Sequence, residues 1–166
     1  MFFGKVQELK ALNTDDEEVA QLVKLKRAGF SDDTCVSVIS AAHAHQHTFT
    51  SSDAMISLVR GGFSEPEILE MAQTDHIDTL SLDAVTLRLT GLSTSFVLNI
   101  LHRRAQGLPT LSGAAIGHLK NTGLTESQIL QRVNEGMTDE QAERESVARE
   151  RARNQTGFVR HYRRRR

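Results

Sequence analysis

The sequence is poor in residues that interrupt helices and in residues that build aromatic cores. Its 166 residues include no tryptophan, one tyrosine and only two prolines. With so few prolines, little in the chain prevents long stretches of helix. Without tryptophan, the core must be built mainly from aliphatic side chains. The 39% apolar and 25% charged residues are typical of a soluble globular protein.

Cysteine is nearly absent as well, since Cys35 is the only one. An internal disulfide is therefore excluded, and the apolar character of the matching position in each repeat described below predicts a buried core thiol. A free thiol fits a reducing compartment. No basic segment followed by an apolar run opens the chain, and no stretch approaches the ~20 apolar residues that cross a bilayer. We therefore expect a cytoplasmic protein without a transmembrane segment.

One short stretch indicates how the chain is organised. In Gly62-Phe63-Ser64-Glu65-Pro66-Glu67, the glycine can adopt the left-handed conformation that closes a helix. Ser64 is a favourable N-cap for a new helix, and Glu67, three residues later, completes a capping box. Pro66 is tolerated because amides of the first turn have no partner within the helix. The stretch predicts two helices joined by a tight turn.

The same pattern of glycine, apolar residue and Ser or Thr recurs at intervals of about 30 residues. Its other copies are Gly29-Phe30-Ser31, Gly91-Leu92-Ser93, Gly123-Leu124-Thr125 and a truncated Gly136-Met137-Thr138. Each full copy has a leucine four residues before the glycine and an apolar residue seven residues after it. Such matched positions are typical of stacked helical hairpins, which complete their core against their neighbours.

This helix-Gly-[Phe/Leu]-[Ser/Thr]-helix unit resembles short tandem helical-hairpin repeats of uncharacterised bacterial proteins, over roughly residues 14–143. The Gly-Phe turn is also similar to the loop of ubiquitin-associated domains, although the third helix of such a domain is not distinct here. Both resemblances imply helical structure, and neither supplies a functional residue.

We therefore predict an all-α fold of about four helical hairpins, in a solenoid-like array or a compact bundle, followed by a C-terminal helix and basic tail. The predicted parts are an N-terminal helix (1–13), a repeat domain (14–143) and an arginine-rich extension and tail (144–166). Two boundaries rest on local signals. Residues 75–78 are interpreted as a loop before an N-cap at Ser81, and residues 154–157 as the end of the last helix.

Charge is strongly separated along the chain. Residues 144–166 hold nine arginines and two glutamates, a formal charge of +7, so the net charge of −1 leaves −8 for the rest. Arginine binds phosphates and stacks on bases, and the interleaved aromatic rings could stack too. The candidate nucleic-acid or anion-binding residues are Arg149, Arg151, Arg153, Phe158, Arg160, Tyr162, Arg163, Arg164, Arg165 and Arg166.

Three histidines, His43, His45 and His47, alternate with small or polar residues. In an extended segment all three would share one face, whereas in a helix only His43 and His47 would, at i and i+4. They are candidate ligands for zinc or nickel if a further ligand comes from elsewhere. The alternatives are a polar helix end, where histidine suits the helix dipole, and a pH-sensitive contact.

Candidate acids, bases and nucleophiles are scattered without a converging pattern, so we predict a non-enzymatic protein with no cofactor. The leading hypothesis is a binding protein whose arginine-rich tail contacts nucleic acid, including RNA in a ribonucleoprotein. The tail could instead contact an acidic protein, another copy of the chain or an anionic membrane surface. The alternative functions are a protein–protein interaction scaffold and a metal-responsive protein that uses the histidine cluster.

Overall fold

A computed structural model describes residues 5–73 and 77–163, with side chains as far as Gln155, and these residues form an all-α fold. The predicted fold class is thereby confirmed. The helices in the described residues are α1 (Val6–Ala11), α2 (Asp16–Arg27), α3 (Asp32–Ala44), α4 (Ser52–Arg60), α5 (Glu65–Ala72), α6 (Ile77–Leu89), α7 (Thr94–Ala105), α8 (Gly113–Asn121), α9 (Glu126–Asn134) and α10 (Asp139–Arg163). The chain divides into two compact units, Met1–Val85 (unit 1) and Thr86–Arg166 (unit 2), and the division falls inside α6.

Unit 1 contains two helical hairpins packed side by side. The hairpins are α2 with α3 and α4 with α5, and contacts join α2 to α4 and α3 to α5. Their interior is largely aliphatic, and its fully buried side chains include Leu22, Leu25, Ile39, Met55, Leu58 and Ile68. Cys35 is 0% exposed in this interior, and burial raises the pKa of its thiol to about 11. The prediction of a buried core thiol is therefore confirmed.

Unit 2 is built around α8, which contacts both α9 and α10. Two helical glycines bring α8 close to the C-terminal end of α6. A Cβ added at Gly117 would lie 3.4 Å from Thr90 Cγ2, and one at Gly113 would lie 3.8 Å from Leu87 Cδ2. Because Gly117 is also buried, its missing side chain serves close packing rather than a turn.

The glycine turns occur where the sequence predicts them. Gly29, Gly62, Gly91, Gly123 and Gly136 have φ values of +99°, +88°, +81°, +95° and +76°, in the left-handed region that strains other residues. Three predicted capping boxes follow such turns. The backbone N–H groups of Ser64, Thr125 and Thr138 donate to the side chains of Glu67, Gln128 and Gln141 at 2.7, 2.9 and 2.8 Å.

Two predicted boundaries are wrong. α6 begins at Ile77, so Ile77 and Asp78 are helical, whereas Asp75 and His76 lie outside the described residues. Ser81 does not cap the helix, because its hydroxyl donates to the Asp78 carbonyl one turn back at 2.9 Å. The buried stripe that starts at Ile77 and continues through Ala84 and Leu87 explains the earlier start.

The last helix is also longer than predicted. α10 continues through residues 154–157 and ends at Arg163. At the five confirmed turns, an apolar residue and a Ser or Thr N-cap follow the glycine. Gly157 is followed by Phe158 and Val159 and has no such N-cap, so the signal to start a new helix is missing. A glycine inside a helix costs only about 1 kcal/mol, which need not end it.

A recurring acidic residue joins the N-termini of two helices. Glu65, the first residue of α5, accepts from Ser31 N–H at 3.2 Å, Ser31 Oγ at 2.8 Å and Thr34 Oγ1 at 2.5 Å, at the start of α3. Glu126, the first residue of α9, accepts from Ser93 N–H and Oγ at 2.6 Å each, at the start of α7. Each carboxylate thus lies where two helix dipoles favour negative charge.

The same bridge has a third, simpler copy. Asp139, the first residue of α10, accepts from Ser112 N–H at 2.9 Å, at the start of α8. The sequence signal is an acidic residue directly after the Gly-apolar-[Ser/Thr] turn. In unit 2 this contact fixes the beginning of α10, the helix that carries most of the candidate binding residues.

Candidate nucleic-acid interface

The first half of α10 is packed against the rest of unit 2. Ala142 is 0% exposed and Ser146 is 6% exposed, and the helix packs against α8. The Ser146 hydroxyl donates to the Ala142 carbonyl at 2.8 Å, so this buried polar group has a partner. With the Asp139–Ser112 contact at its start, α10 is held firmly over its first two turns.

An ion network joins α10 to α9. Glu145 accepts from Arg132 Nε at 3.0 Å and from Arg149 Nε at 2.8 Å. The hydrogen bond from Arg132 is the main cause that lowers the pKa of Glu145; burial opposes this effect, and Arg149 adds to it. The Glu145 side chain is 21% exposed, so this carboxylate is partly shielded from water. One turn earlier, Arg144 and Glu140 form a 2.5 Å pair that is about three-quarters exposed.

The structure distinguishes the three predicted binding residues whose side chains it describes. Arg149 is half-buried and paired with Glu145. Arg151 is exposed and has no ion-pair partner among the described side chains, and Arg153 is exposed on the wall of a cleft between α8 and α10. That cleft has a volume of about 310 Å³, and its other lining residues include His118, Glu143 and Glu150.

The remaining candidates stay predictions. Phe158, Arg160, Tyr162 and Arg163 belong to the last turns of α10, but their side chains lie outside the described part of the chain. Arg164, Arg165 and Arg166 lie wholly outside it.

The charge distribution is sharper than the division at residue 144 indicates. Unit 1 carries 14 acidic and 6 basic residues, a formal charge of −8. Residues 86–150 carry seven of each and are neutral, whereas residues 151–166 contain seven arginines and no carboxylate side chain. The whole positive excess of unit 2 therefore begins at Arg151, inside α10 and beyond its anchored half.

The three histidines make different contacts. His43 Nε2 lies 2.9 Å from Glu18 Oε1, whereas His45 and His47 stack on each other with ring centroids 6.2 Å apart. Nε2 of His45 is also 3.2 Å from the Gln73 carbonyl. In the described ranges, no group of three or more His, Cys, Asp or Glu residues is arranged to hold a metal ion. The metal-site hypothesis stays a prediction.

Glu18, the partner of His43, is a buried carboxylate that the sequence analysis does not predict. Its residue is only 2% exposed. It accepts from Phe49 N–H at 2.9 Å and Asp15 N–H at 3.3 Å, in addition to its contact with His43. These contacts tie α2, α3 and the segment before α4 together. The sequence offered one signal: Asp15 and Glu18 have capping-box spacing, which explains the position of Glu18 but not its burial.

Two arginines near the end of α7 have structural roles. Arg103 donates from Nη2 to the Pro109 carbonyl at 3.1 Å and from Nη1 to Asn134 Oδ1 at 3.0 Å. Arg104 donates to the Leu111 carbonyl at 3.0 Å. Both guanidinium groups thus stabilise the loop after Gly107.

Comparisons with known proteins add no family: no family model, no curated protein and no solved structure matches this chain. Within the described residues, no helix is long and apolar enough to cross a bilayer.

Proposed function

We propose that this chain is a non-enzymatic binding protein whose segment from α10 to the C-terminal arginines contacts the phosphate backbone of a nucleic acid. The observation that carries the proposal is the run of seven arginines without a carboxylate side chain in residues 151–166, next to a neutral stretch of 65 residues (86–150). Like charges this close repel one another, and a polyanion relieves that repulsion while its counterions are released.

RNA is the favoured nucleic acid because Phe158 and Tyr162 alternate with the arginines. Aromatic rings and guanidinium planes stack on unpaired bases, which single-stranded RNA exposes and a duplex hides. The anchored half of α10 supports this role, since it ties the start of the segment to a folded unit. A ribonucleoprotein is the kind of assembly that would use such a segment.

The test is fluorescence anisotropy with a labelled single-stranded RNA and a duplex DNA of matching length. A variant with Arg160, Arg163, Arg164, Arg165 and Arg166 all changed to Gln should bind single-stranded RNA at least about tenfold more weakly, because about five phosphate contacts are lost. The matched control changes the same five arginines to Lys, which keeps the charge and should retain most of the affinity. Equal affinity of the wild type and the Gln variant would overturn the proposal.

One observation favours a second function, that of a protein–protein interaction scaffold. The −8 charge of unit 1 gives the arginine segment of another copy an acidic surface to contact. Sedimentation velocity on nuclease-treated protein separates the two functions. Salt-sensitive dimers that the five Arg→Gln changes abolish would support the scaffold, whereas a monomer at every salt concentration would exclude association through the tail.

A further inference from the structure

Arg149 has the sequence features of a binding residue but not the surroundings of one. Its Nε and Nη2 atoms both lie 2.8 Å from Glu145 Oε1, and its side chain is 40% exposed. A guanidinium held in this way already directs its Nε and Nη2 donors at a carboxylate, whose negative charge offsets its attraction for a phosphate. Spacing alone could not reveal this, because the strength of an i, i+4 pair depends on its surroundings.

Glu145 is not free to release Arg149, because it serves two helices at once. Its second oxygen, Oε2, accepts from Arg132 Nε of α9 at 3.0 Å, so both carboxylate oxygens are engaged. Only 21% of the Glu145 side chain is exposed. Its geometry is fixed from α9 as well as from α10, which pre-organises the carboxylate toward Arg149.

The neighbouring pair gives a useful contrast. Arg144 and Glu140 are 75% and 74% exposed, and no other helix contributes an ion pair to them among the described side chains. Exposed pairs of this kind are weak and exchange readily with water or other ions. Arg151, two residues beyond Arg149, is exposed and unpaired among the described side chains.

We infer that Glu145 is a positioning residue that withholds Arg149 from the nucleic acid, so that the contact surface begins at Arg151. This inference rests on the proposed function. Arg149 then lies outside the contact surface, and Arg151 begins a stretch of the sequence that contains no Asp or Glu. Glu145 sets the boundary between the half of α10 that holds the fold together and the half that contacts the partner.

The test compares salt dependence of single-stranded RNA binding for single-residue variants of the full chain. Log affinity falls with log salt, so the slope is negative. Arg151→Gln should decrease the magnitude of this slope by about 0.7, as expected for one lost phosphate contact. Arg149→Gln should leave the magnitude unchanged, whereas Glu145→Gln should increase it by about 0.7, because Arg149 becomes free to contact phosphate.

Two control variants separate the Glu145–Arg149 pair from a change in overall charge and from the link to α9. Glu17→Gln deletes the same charge from an exposed position on α2, outside the arginine segment, and its slope should match the wild type. Arg132→Gln breaks the link to α9 but leaves the Glu145–Arg149 pair, so it should make the slope steeper by less than Glu145→Gln does. Thermal unfolding followed by circular dichroism verifies that each variant is folded at the assay temperature.

The outcomes separate this inference from the proposed function. A wild type that does not bind RNA overturns both. Binding in which Arg149→Gln flattens the slope as much as Arg151→Gln overturns the inference alone, and so does an effect of Glu17→Gln equal to that of Glu145→Gln.

Discussion

The two compact units share one pattern of turns and caps but differ in charge. Each has left-handed glycines, capped helix starts and a buried interior dominated by aliphatic side chains. Yet unit 1 carries 14 acidic and 6 basic residues, whereas unit 2 carries 7 acidic and 14 basic residues. The same fold pattern is therefore compatible with opposite surface charge. The net charge of a unit therefore does not follow from this fold pattern.

The units also differ in how strongly acidic residues join their helix ends. Glu65 of unit 1 has three donors, Ser31 N–H, Ser31 Oγ and Thr34 Oγ1. Glu126 of unit 2 has two donors, both from Ser93, because Phe96 occupies the position that corresponds to Thr34. The Thr34 hydroxyl thus gives Glu65 one donor more than Glu126 has. Four stability measurements test how far the equivalence of the units extends.

The largest expected effect lies in the two cores. Leu58 and Leu119 occupy the same position relative to their turns, and both are 0% exposed. Leu58→Ala and Leu119→Ala should each lower the free energy of unfolding by about 3 kcal/mol, through lost apolar burial and a residual cavity. Denaturant titration of the full chain measures this. Leu89→Ala is the control: this position is 84% exposed, so the change should hardly alter the free energy of unfolding. If only one of the two core variants lost little stability, the two cores would not be equivalent.

The buried Glu18 has no counterpart among the described residues of unit 2, where the buried polar residue is Ser146. Glu18→Ala should cost about 2–3 kcal/mol, because the buried Phe49 N–H loses its acceptor and His43 loses its partner. Chemical denaturation measures the cost. Glu17→Ala removes the same charge from an exposed neighbouring position and serves as the control. Equal effects of the two changes would mean that the Glu18 contacts contribute no stability beyond their charge.

The glycine turns offer a test in both units. A Cβ at Gly29 or Gly123 would meet nothing within 4 Å, so any cost of Ala comes from the positive φ alone. Gly29→Ala and Gly123→Ala should each cost about 1–2 kcal/mol. Asn tolerates this conformation better, so Gly→Asn at either position should recover part of the loss in thermal unfolding. If Ala were as stable as glycine at one site, the turns would not be equivalent.

The smallest effect concerns the acidic bridges. For both Glu65 and Glu126, burial raises the pKa, but hydrogen bonds from Thr34 and Ser31, or from Ser93, outweigh it and lower the pKa below the ordinary 4.5. A carboxyl group whose pKa is lower in the folded state than in the unfolded state stabilises the fold at pH values above the unfolded-state pKa. This contribution is lost as the pH falls through the folded-state pKa.

Glu65→Gln should therefore cost about 1 kcal/mol at neutral pH and less in acid, where wild-type Glu65 is protonated as well. Glu126→Gln should cost less than Glu65→Gln, since it has one donor fewer. Urea titrations at neutral and acidic pH measure both. A cost that does not change with pH, or a larger cost for Glu126→Gln, would contradict the comparison.

Local signals in the sequence were enough for most of the fold. The glycine turns and three capping boxes depend on residues within a few positions of one another, so they could be predicted. The burial of Cys35 could be predicted from the apolar residues at the matching positions of the other repeats. The start of α6 at Ile77 could not be predicted from local signals, because Ser81 has the features of an N-cap although the apolar stripe begins earlier. The extension of α10 beyond Gly157 could not be predicted from the glycine alone, because it depends on the absence of a following N-cap for a new helix.

The candidate site was harder to predict because the contact that fixes Glu145 is distant in sequence. Arg132 and Glu145 are 13 positions apart, and in unit 1 the missed contact of Glu18 with His43 joins residues 25 apart. No spacing rule connects such residues, and only packing of the helices brings them together. The charge of residues 151–166, by contrast, is a property of composition and could be read directly.

The most direct test of the central claim is the salt dependence of single-stranded RNA binding by the wild-type chain. If the seven arginines of residues 151–166 contact phosphates, log affinity should fall linearly with log salt with a slope of about −5. Affinity that is independent of salt, or a slope that is unchanged when these arginines become glutamine, would contradict the claim.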